Sequence, residues 1–546
     1  MKRILLLISL LTALALALTA CAGLLPAAAG TPAATRPIII LACDQPGSAD
    51  PAENWTAGGA AYLPLVYEGL FHYVGAAAPR LEAQLAAEIP TRENGGISAD
   101  GLVYTIKIKP NAKFHDGSPV NADAVIYSYE RTGTLQLGAN GITTDWIARL
   151  DKVDELTVRI TLTQPFGDFL NSMGSVWGNY IVNPAVVKAN EVNGDRGHAY
   201  LLGHDAGSGP YTITAVDSAA SQITLERVAT YWGGWNNPQP IDRAVIRWLA
   251  EPTAARAMLE KGDADVLINP QATDFVTLRS NKNIKTAHYP GIMQYYLGLN
   301  TAVKPLDDVR VRRALAHSLN TDVIMRDIFL GNLSRMEAAV GPGYPEVLRA
   351  AVQYPYDLEK ARALLVEAGY ENGLELTANR MNLWANDAAV LEFWCADLKK
   401  IGVTLQIQEL DDSTWSSIWF NECAAATSPE IGPISAMSVG GDYPSAWEVL
   451  AQVFPVPRLG GGRCSAVYRD NPVINETILK ISQTTNSAER AAYFQILYDA
   501  IAEDASAIWV GQGQDLIAMR DVVQGYEYSF SKGGNYLPLQ KMSLTR

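Results

Sequence analysis

Cysteine, histidine and positive charge are all scarce in this chain. Its 546 residues include five cysteines and six histidines, and 43 lysines and arginines stand against 57 aspartates and glutamates. The formal net charge of −14 repels phosphate backbones and argues against nucleic-acid binding. The cysteines make no C-x-x-C pair, and no His/Cys cluster has zinc-ligand spacing. His72, His115, His198, His204, His288 and His317 are scattered. His198 and His204 come closest, in a loop where Asp205 is the one neighbouring carboxylate, and they read as solvated loop histidines. No metal and no cofactor is expected. The patterns G-x-x-x-x-G-K-[ST], H-E-x-x-H and G-x-S-x-G are also missing, which removes the usual phosphate cradle, zinc-hydrolase helix and nucleophile elbow. Beyond residue 20 no apolar run is long enough to span a bilayer.

What is present is a globular composition, with 48% hydrophobic and 18% charged residues, over a length that suits two or three domains. The 44 glycines and 29 prolines imply many turns in a mixed α/β chain. Lys2 and Arg3, the apolar stretch "ILLLISLLTALALA" and the small residues before Cys21 form a secretory signal pattern. Leu18-Thr19-Ala20-Cys21 resembles the bacterial lipobox, which implies removal of residues 1–20 and a diacylglycerol thioether on the Cys21 sulfur. Residues 21–37 then read as a flexible tether. Its sixteen residues after Cys21 reach about 20–25 Å as coil, enough to lift a soluble body off a membrane. Of the other cysteines, Cys423 and Cys464 flank one loop-rich region and can pair in an oxidising compartment, while Cys395 lies in an apolar helical pattern and reads as a buried thiol.

Along the body, "PIIILAC", "LVYTIKIKP", "ELTVRITLT" and "AVIRWLA" read as strands, and "PYTITAVDSAASQITLERV" as a hairpin. "TAARAMLEKGDADVLI" reads as a helix, a Gly-Asp stop and a buried strand. Asp308 and Asp357 are placed to cap helices, Gly369 and Gly402 to end them, and two helices should break near Thr485. "SAIWVGQG" reads as a returning strand. In "KFHDGSPVNADAVIYSYER" a histidine and an aspartate adjoin a Gly-Ser-Pro turn, and Asn121 is placed to cap the helix that follows; turn and cap account for every residue, so His115 and Asp116 read as scaffold. The chain is rich in aromatic side chains, 12 Trp and 24 Tyr, with Trp384, Trp415, Trp419, Tyr443 and Trp447 in loop-like stretches of the kind that line ligand clefts.

In order, "LVYEGLF", "DGLVYTIKIKPNAKFHDGSPVNADAVIYSYER", "GSGPYTI", "YYLGLNTAVKPLDDVRVRRALAHSLNTDVI", "YDLEKARALLVEAGY", "LKKIGVTLQIQ" and "GDYPSAWEVL" resemble solute-binding protein family 5, the oligopeptide- and dipeptide-binding lipoproteins of ABC importers. The resemblance implies an α/β periplasmic-binding-protein fold with two lobes and three structural domains. Lobe 1 would combine residues 38–75, 207–296 and 511–546, with a small domain inserted at 76–206, and lobe 2 would span 297–510. A solute caught between the lobes would be enclosed by hinge closure and delivered by the monomeric receptor to permease subunits served by cytoplasmic ATPases.

The resemblance also implies site residues. In peptide-binding members an aspartate of a D-Y-x-x-P-type segment takes the ligand's α-amino group, which places Asp442 and Tyr443 there; the alternative is that Asp442 caps a turn before Pro444. Ser445-Ala446 departs from the second Asp-Pro found in many members and weakens the expectation of a peptide. Arg380, Trp384 and Asn386 match a loop that faces the cleft, Arg380 as a partner for a ligand carboxylate. Trp415 and Trp447 complete the candidates. A peptide is the expected solute. A sugar, metal chelate or other organic solute is the alternative within the fold, and a secreted hydrolase or an envelope sensor the alternative outside it.

Overall fold

The apolar run Ile38–Ala42 has no polar face, and it lies where both edges are taken, parallel to Arg243–Trp248 on one side and to Val266–Ile268 on the other. The computed structural model describes residues 36–42, 46–75, 79–138, 141–249, 251–382, 385–416, 432–454, 471–530 and 535–545. Met1–Pro37 and Ile38–Arg546 are separate units, and the fold is that of the second. The expected hairpin forms as Tyr211–Asp217 and Gln222–Arg227 and carries the sheet to its edge. In the C-terminal half, Leu374–Met381 lies parallel to both Val403–Leu410 and Ile434–Gly440.

Two long strands join these halves. Ile284–Leu299 and Ala507–Arg520 pair antiparallel through the middle of an eleven-stranded sheet among the described residues. The end of Ala507–Arg520 adjoins Val266–Ile268, and the second half of Ile284–Leu299 adjoins Ile434–Gly440. Their register shifts between Pro290 and Gln294 and again between Tyr295 and Tyr296. Pro290 has no amide hydrogen, and a Cβ on Gly291 would stand 2.6 Å from Asp515 Oδ1, so the ladder is interrupted beside them. The strand read in "SAIWVGQG" is therefore only the first part of a fourteen-residue strand, because the partner strand supplies the pairing that Gln512–Asp515 do not advertise.

Local signals set the helices. Asp308 accepts from the Arg310 amide at 2.8 Å and Asp357 from that of Lys360 at 2.9 Å, opening Val309–Ser318 and Leu358–Glu367. Gly369 and Gly402 take φ of +92° and +84° just past helix ends, a backbone conformation that costs glycine nothing. Pro472–Gln483 and Ser487–Asp504 break at Thr484–Asn486, with Asn486 capping the second. Cys395 is half-buried rather than fully buried, its Sγ 3.7 Å from the Leu405 carbonyl.

The three largest apolar clusters of the described residues lie one with each half of the sheet and a third beside them, and smaller ones, such as that of Leu41, Leu259, Leu267 and Leu278, add to the core. That third cluster joins the small sheet of Val103–Lys107, Ile147–Asp154 and Thr157–Leu162 to the helices Ala446–Val453, Pro472–Gln483 and Ser487–Asp504. Phe166 stacks on Trp146 and meets Trp447 edge-on, with centroids 3.8 and 5.1 Å away.

The His115-Asp116 stretch is scaffold. Asp116 accepts from the Ser118 amide at 2.9 Å and from Asn183 Nδ2 at 2.8 Å, and Asn121 caps the next helix through the Ala124 amide. His115 places Nδ1 2.7 Å from Asp205 Oδ1 and Nε2 3.0 Å from the Gly209 carbonyl, so oxygen acceptors face both ring nitrogens and the doubly protonated ring satisfies both. Burial opposes that charge, but the Asp205 carboxylate outweighs it and raises the His115 value, while His115 and the Ile213 amide hold Asp205 low. A histidine raised on folding contributes in full below its free value of about 6.5 and loses that contribution as pH rises through the raised value. In urea titrations His115→Gln is expected to be less stable than the parent at pH 6, with the gap narrowing toward pH 9. A pH-independent gap would mean that the ring only packs.

Candidate functional site

Gly440–Ser445 links strand Ile434–Gly440 to helix Ala446–Val453 and carries Asp442 to a seam between distant parts of the chain. Three segments hold this aspartate. Trp55 donates its indole N–H to Oδ1 at 3.1 Å, Ser175 Oγ donates to the main-chain carbonyl at 2.7 Å, and the Asp442 amide donates to Glu448 Oε2 at 3.0 Å. The Gly441 amide donates to the Tyr344 hydroxyl at 2.7 Å, and that hydroxyl donates to the Ile292 carbonyl, beside the bulge in the long strands. The turn needs glycine here: a Cβ on Gly441 would lie 2.8 Å from the Tyr443 carbonyl and 2.9 Å from Glu448 Oε2. Asp442 is 8% exposed. Burial, with Glu448, Asp442 and Asp515 nearby, pushes the Tyr344 phenol well above its usual value, so it stays a neutral donor.

The arrangement suits capture rather than bond-breaking. A largely desolvated carboxylate at a seam attracts an ammonium group, and aromatic edges around it add apolar contact. Tyr289 and Tyr528 stack at 4.3 Å beside the same bulge, and Tyr528 reaches Asp515 at 2.7 Å. Among the described residues no three His, Cys, Asp or Glu side chains gather as a metal would need.

The expected residues fall in different places. Asp442 and Tyr443 share the seam, but Tyr443 is buried and turns toward Asp168 and Arg490. Arg380 ends strand Leu374–Met381, where its guanidinium pairs with Glu409 and donates to the Met381 carbonyl. Asp387, in the first turn of helix Ala385–Lys400, is buried; desolvation raises its carboxyl to about 6 against the opposing charge of Arg380. Asn386 is exposed in the first turn of helix Ala385–Lys400. Trp415 is buried in the short helix Asp412–Ser416. Trp447 meets the stacked rings of Phe166 and Trp146 edge-on, with its N–H on the Ile478 carbonyl at 3.0 Å. Cys21, Trp384, Trp419, Cys423 and Cys464 lie outside the described residues. Trp55, Ser175, Tyr344 and Glu448 were not anticipated. Trp55 alone had a signal, an isolated tryptophan in a loop of small residues, and it is 41% exposed.

The model of bacterial extracellular solute-binding proteins, family 5, matches residues 80–455. The chain belongs to that family. The glutathione-binding protein GsiB of Pectobacterium atrosepticum is 27% identical over 419 residues, covering 76% of this chain and 78% of its own. HbpA2 of Haemophilus parasuis superposes with a TM-score of 0.79 at 21% identity, over 94% of this chain and all of its own. The periplasmic binding protein DppA of Helicobacter pylori, solved with the peptide STSA, gives 0.74 at 21% identity over 94% of this chain and 98% of its own. The family 5 chain is thus a two-lobed α/β solute-binding receptor of an ABC importer, not an enzyme, and it works outside the cytoplasm with permease and ATPase subunits. No described helix is long and apolar enough to cross a membrane.

Proposed function

We propose that this receptor captures a short peptide by its free amino terminus, encloses it by closing the two halves about the long central strands, and hands it to the permease. The observation that carries the reading is Asp442: a carboxylate 8% exposed, lying where Trp55 and Ser175 of the N-terminal half meet the C-terminal half. Glutathione and the peptide STSA, in the names of the relatives, are both amino-terminated solutes. The hinge is assigned to the register shifts at Pro290–Gln294 and Tyr295–Tyr296, where the sheet's pairing is already broken. Lobe 1 would then consist of residues 38–75, 207–296 and 511–546 with the small domain 76–206, and lobe 2 of 297–510. In this reading the receptor acts as a monomer, and the lipobox-like Leu18–Cys21 supports an anchor on the membrane surface through lipid on Cys21.

A second reading, a non-peptide solute with an amine but no carboxylate, has one observation in its favour: Arg380, the candidate partner for a ligand carboxylate, is already paired with Glu409. Mass spectrometry on protein extracted from native membranes tests both readings and the anchor together. The expected result is an intact mass carrying diacylglycerol on Cys21 and, after denaturation, released peptides. An unlipidated mass ends the anchor assignment, and a released solute without a peptide bond ends the peptide assignment.

A further inference from the structure

Asp168 is fully buried and belongs to the N-terminal half, just before helix Phe169–Met173. Its partners are mostly from the other half. Arg490 Nη2 donates to Oδ1 at 2.8 Å and Ser445 Oγ donates to Oδ2 at 2.6 Å, while Asn171 Nδ2 adds a local bond to Oδ1 at 2.8 Å. Arg490 also donates from Nη1 to the Ile481 carbonyl at 2.9 Å, and its Nε lies 3.5 Å from Glu346 Oε1. Glu346 Oε2 is buried without a hydrogen-bond partner. The turn that delivers Asp168 is inserted closely: the Gly167 amide donates to the Ser482 carbonyl at 2.6 Å, and a Cβ on Gly167 would stand 2.5 Å from the Thr484 carbonyl.

Two features give this cluster a role beyond packing. Asp168 and its partners Ser445, Arg490 and Glu346 belong to chain segments joined through the two long strands, so rotation about those strands pulls them apart. The cluster is also unbalanced, with two carboxylates facing one guanidinium. The other titratable groups that face it, Tyr73 on strand Phe71–Val74, Tyr443 on the Asp442 turn and Tyr498 on helix Ser487–Asp504, are phenols that burial holds neutral. The proton that removes the excess negative charge therefore goes to the carboxyl group with the fewest donors, Glu346.

We propose that Asp168, Ser445, Arg490 and Glu346 form a closure latch in which Glu346 takes up one proton from solvent as the halves come together, so that solute affinity depends on pH through closure rather than through a contact with the solute. The proposal rests on the closing motion proposed above, and no covalent step is involved. Burial, with Asp168 next and Arg490 opposing, pushes the Glu346 carboxyl up to about 7. In the open form the group would return toward its free value of about 4.3. A carboxyl raised in the closed form costs nothing while it is protonated in both forms, and it penalises closure increasingly as pH rises between those two values. Affinity should therefore fall by up to about tenfold per pH unit across that window and level off above it.

The test uses the full receptor with the peptide Ser-Thr-Ser-Ala as probe, by calorimetry from pH 5 to pH 7, below the titration of the peptide's own amino group, in buffers of different ionisation enthalpy, and small-angle scattering of the ligand-free protein across the same range. The parent should lose at least about tenfold in affinity over the range and take up close to one proton on binding near pH 6. Glu346→Gln should hold the high affinity at every pH with no proton uptake. Asp168→Asn should bind more weakly at low pH and show a shallower slope, because the neighbouring carboxylate that helps raise Glu346 is gone while its burial remains; a merely structural Asp168 would lower affinity and leave the slope intact. A parent slope that persists in Glu346→Gln overturns the latch. If the peptide binds at no pH, the proposed function fails, and scattering decides the latch by itself: the parent should become more compact as pH falls and Glu346→Gln should not respond, and an unchanging parent profile overturns it.

Discussion

Asp442→Asn is expected to weaken binding of a peptide with a free amino terminus by more than about a hundredfold, and to change binding of the same peptide N-acetylated very little. Removing one partner of a buried ion pair typically costs about 3–5 kcal/mol, because the remaining charge stays desolvated and uncompensated. Asparagine is the informative replacement. Its side-chain oxygen can still accept from Trp55 Nε1, now 3.1 Å from Asp442 Oδ1, and the main-chain contacts to Glu448 and Ser175 do not involve the carboxylate. The turn should thus survive while the negative charge is lost. Calorimetry with both peptides on both proteins separates the roles. Equal losses for the free and acetylated peptides would mean that Asp442 anchors the Trp55 loop instead of the solute.

Much of the scaffold was legible because it is local. Asn121, Asp308 and Asp357 cap helices through amides two or three residues away, and a cap of that reach shows in any short window of sequence. The hairpin at 211–227 and the alternating strand Val103–Lys107 were visible for the same reason. The site was only partly legible because it is made by long-range contacts. Trp55 meets Asp442 across 387 residues and Asp168 meets Arg490 across 322, and no periodicity encodes such a meeting. Trp447 shows the limit from the other side. In sequence it resembled a cleft aromatic, but the helix that begins at Ala446 turns it inward against Phe166, a partner 281 positions earlier that only the tertiary fold supplies. The family resemblance singled out Asp442 as a candidate; the sharing of its carboxylate with a tryptophan could come only from the structure.

Arg131→Met is expected to be the most destabilising single change outside the site, costing about 3–5 kcal/mol. The helix read in "ADAVIYSYER" and its continuation to Leu135 carry Arg131 into the interior, where it is 1% exposed. It forms a bidentate pair with Asp50, Nη1 to Oδ1 at 2.8 Å and Nη2 to Oδ2 at 2.6 Å, and its Nε donates to the Arg196 carbonyl at 2.8 Å. Asp50 also accepts from the Ala52 amide at 2.9 Å and lies 2.9 Å from His198 Nδ1. Methionine keeps most of the side-chain volume but leaves that carboxylate, 0% exposed, without its fork of donors. Urea unfolding should show the loss as a lower midpoint. The double variant Asp50→Asn with Arg131→Met should recover part of it, since replacing a buried pair costs less than orphaning one member. The change should also reach the site, because Asp50 opens the loop that carries Trp55, five residues on, to Asp442. Solute affinity should therefore fall in Arg131→Met under conditions where the protein is still fully folded, and the drop should be the same for free and acetylated peptides, unlike that of Asp442→Asn. A double variant no more stable than Arg131→Met would mean that the guanidinium acts through its bond to the Arg196 carbonyl rather than through its charge.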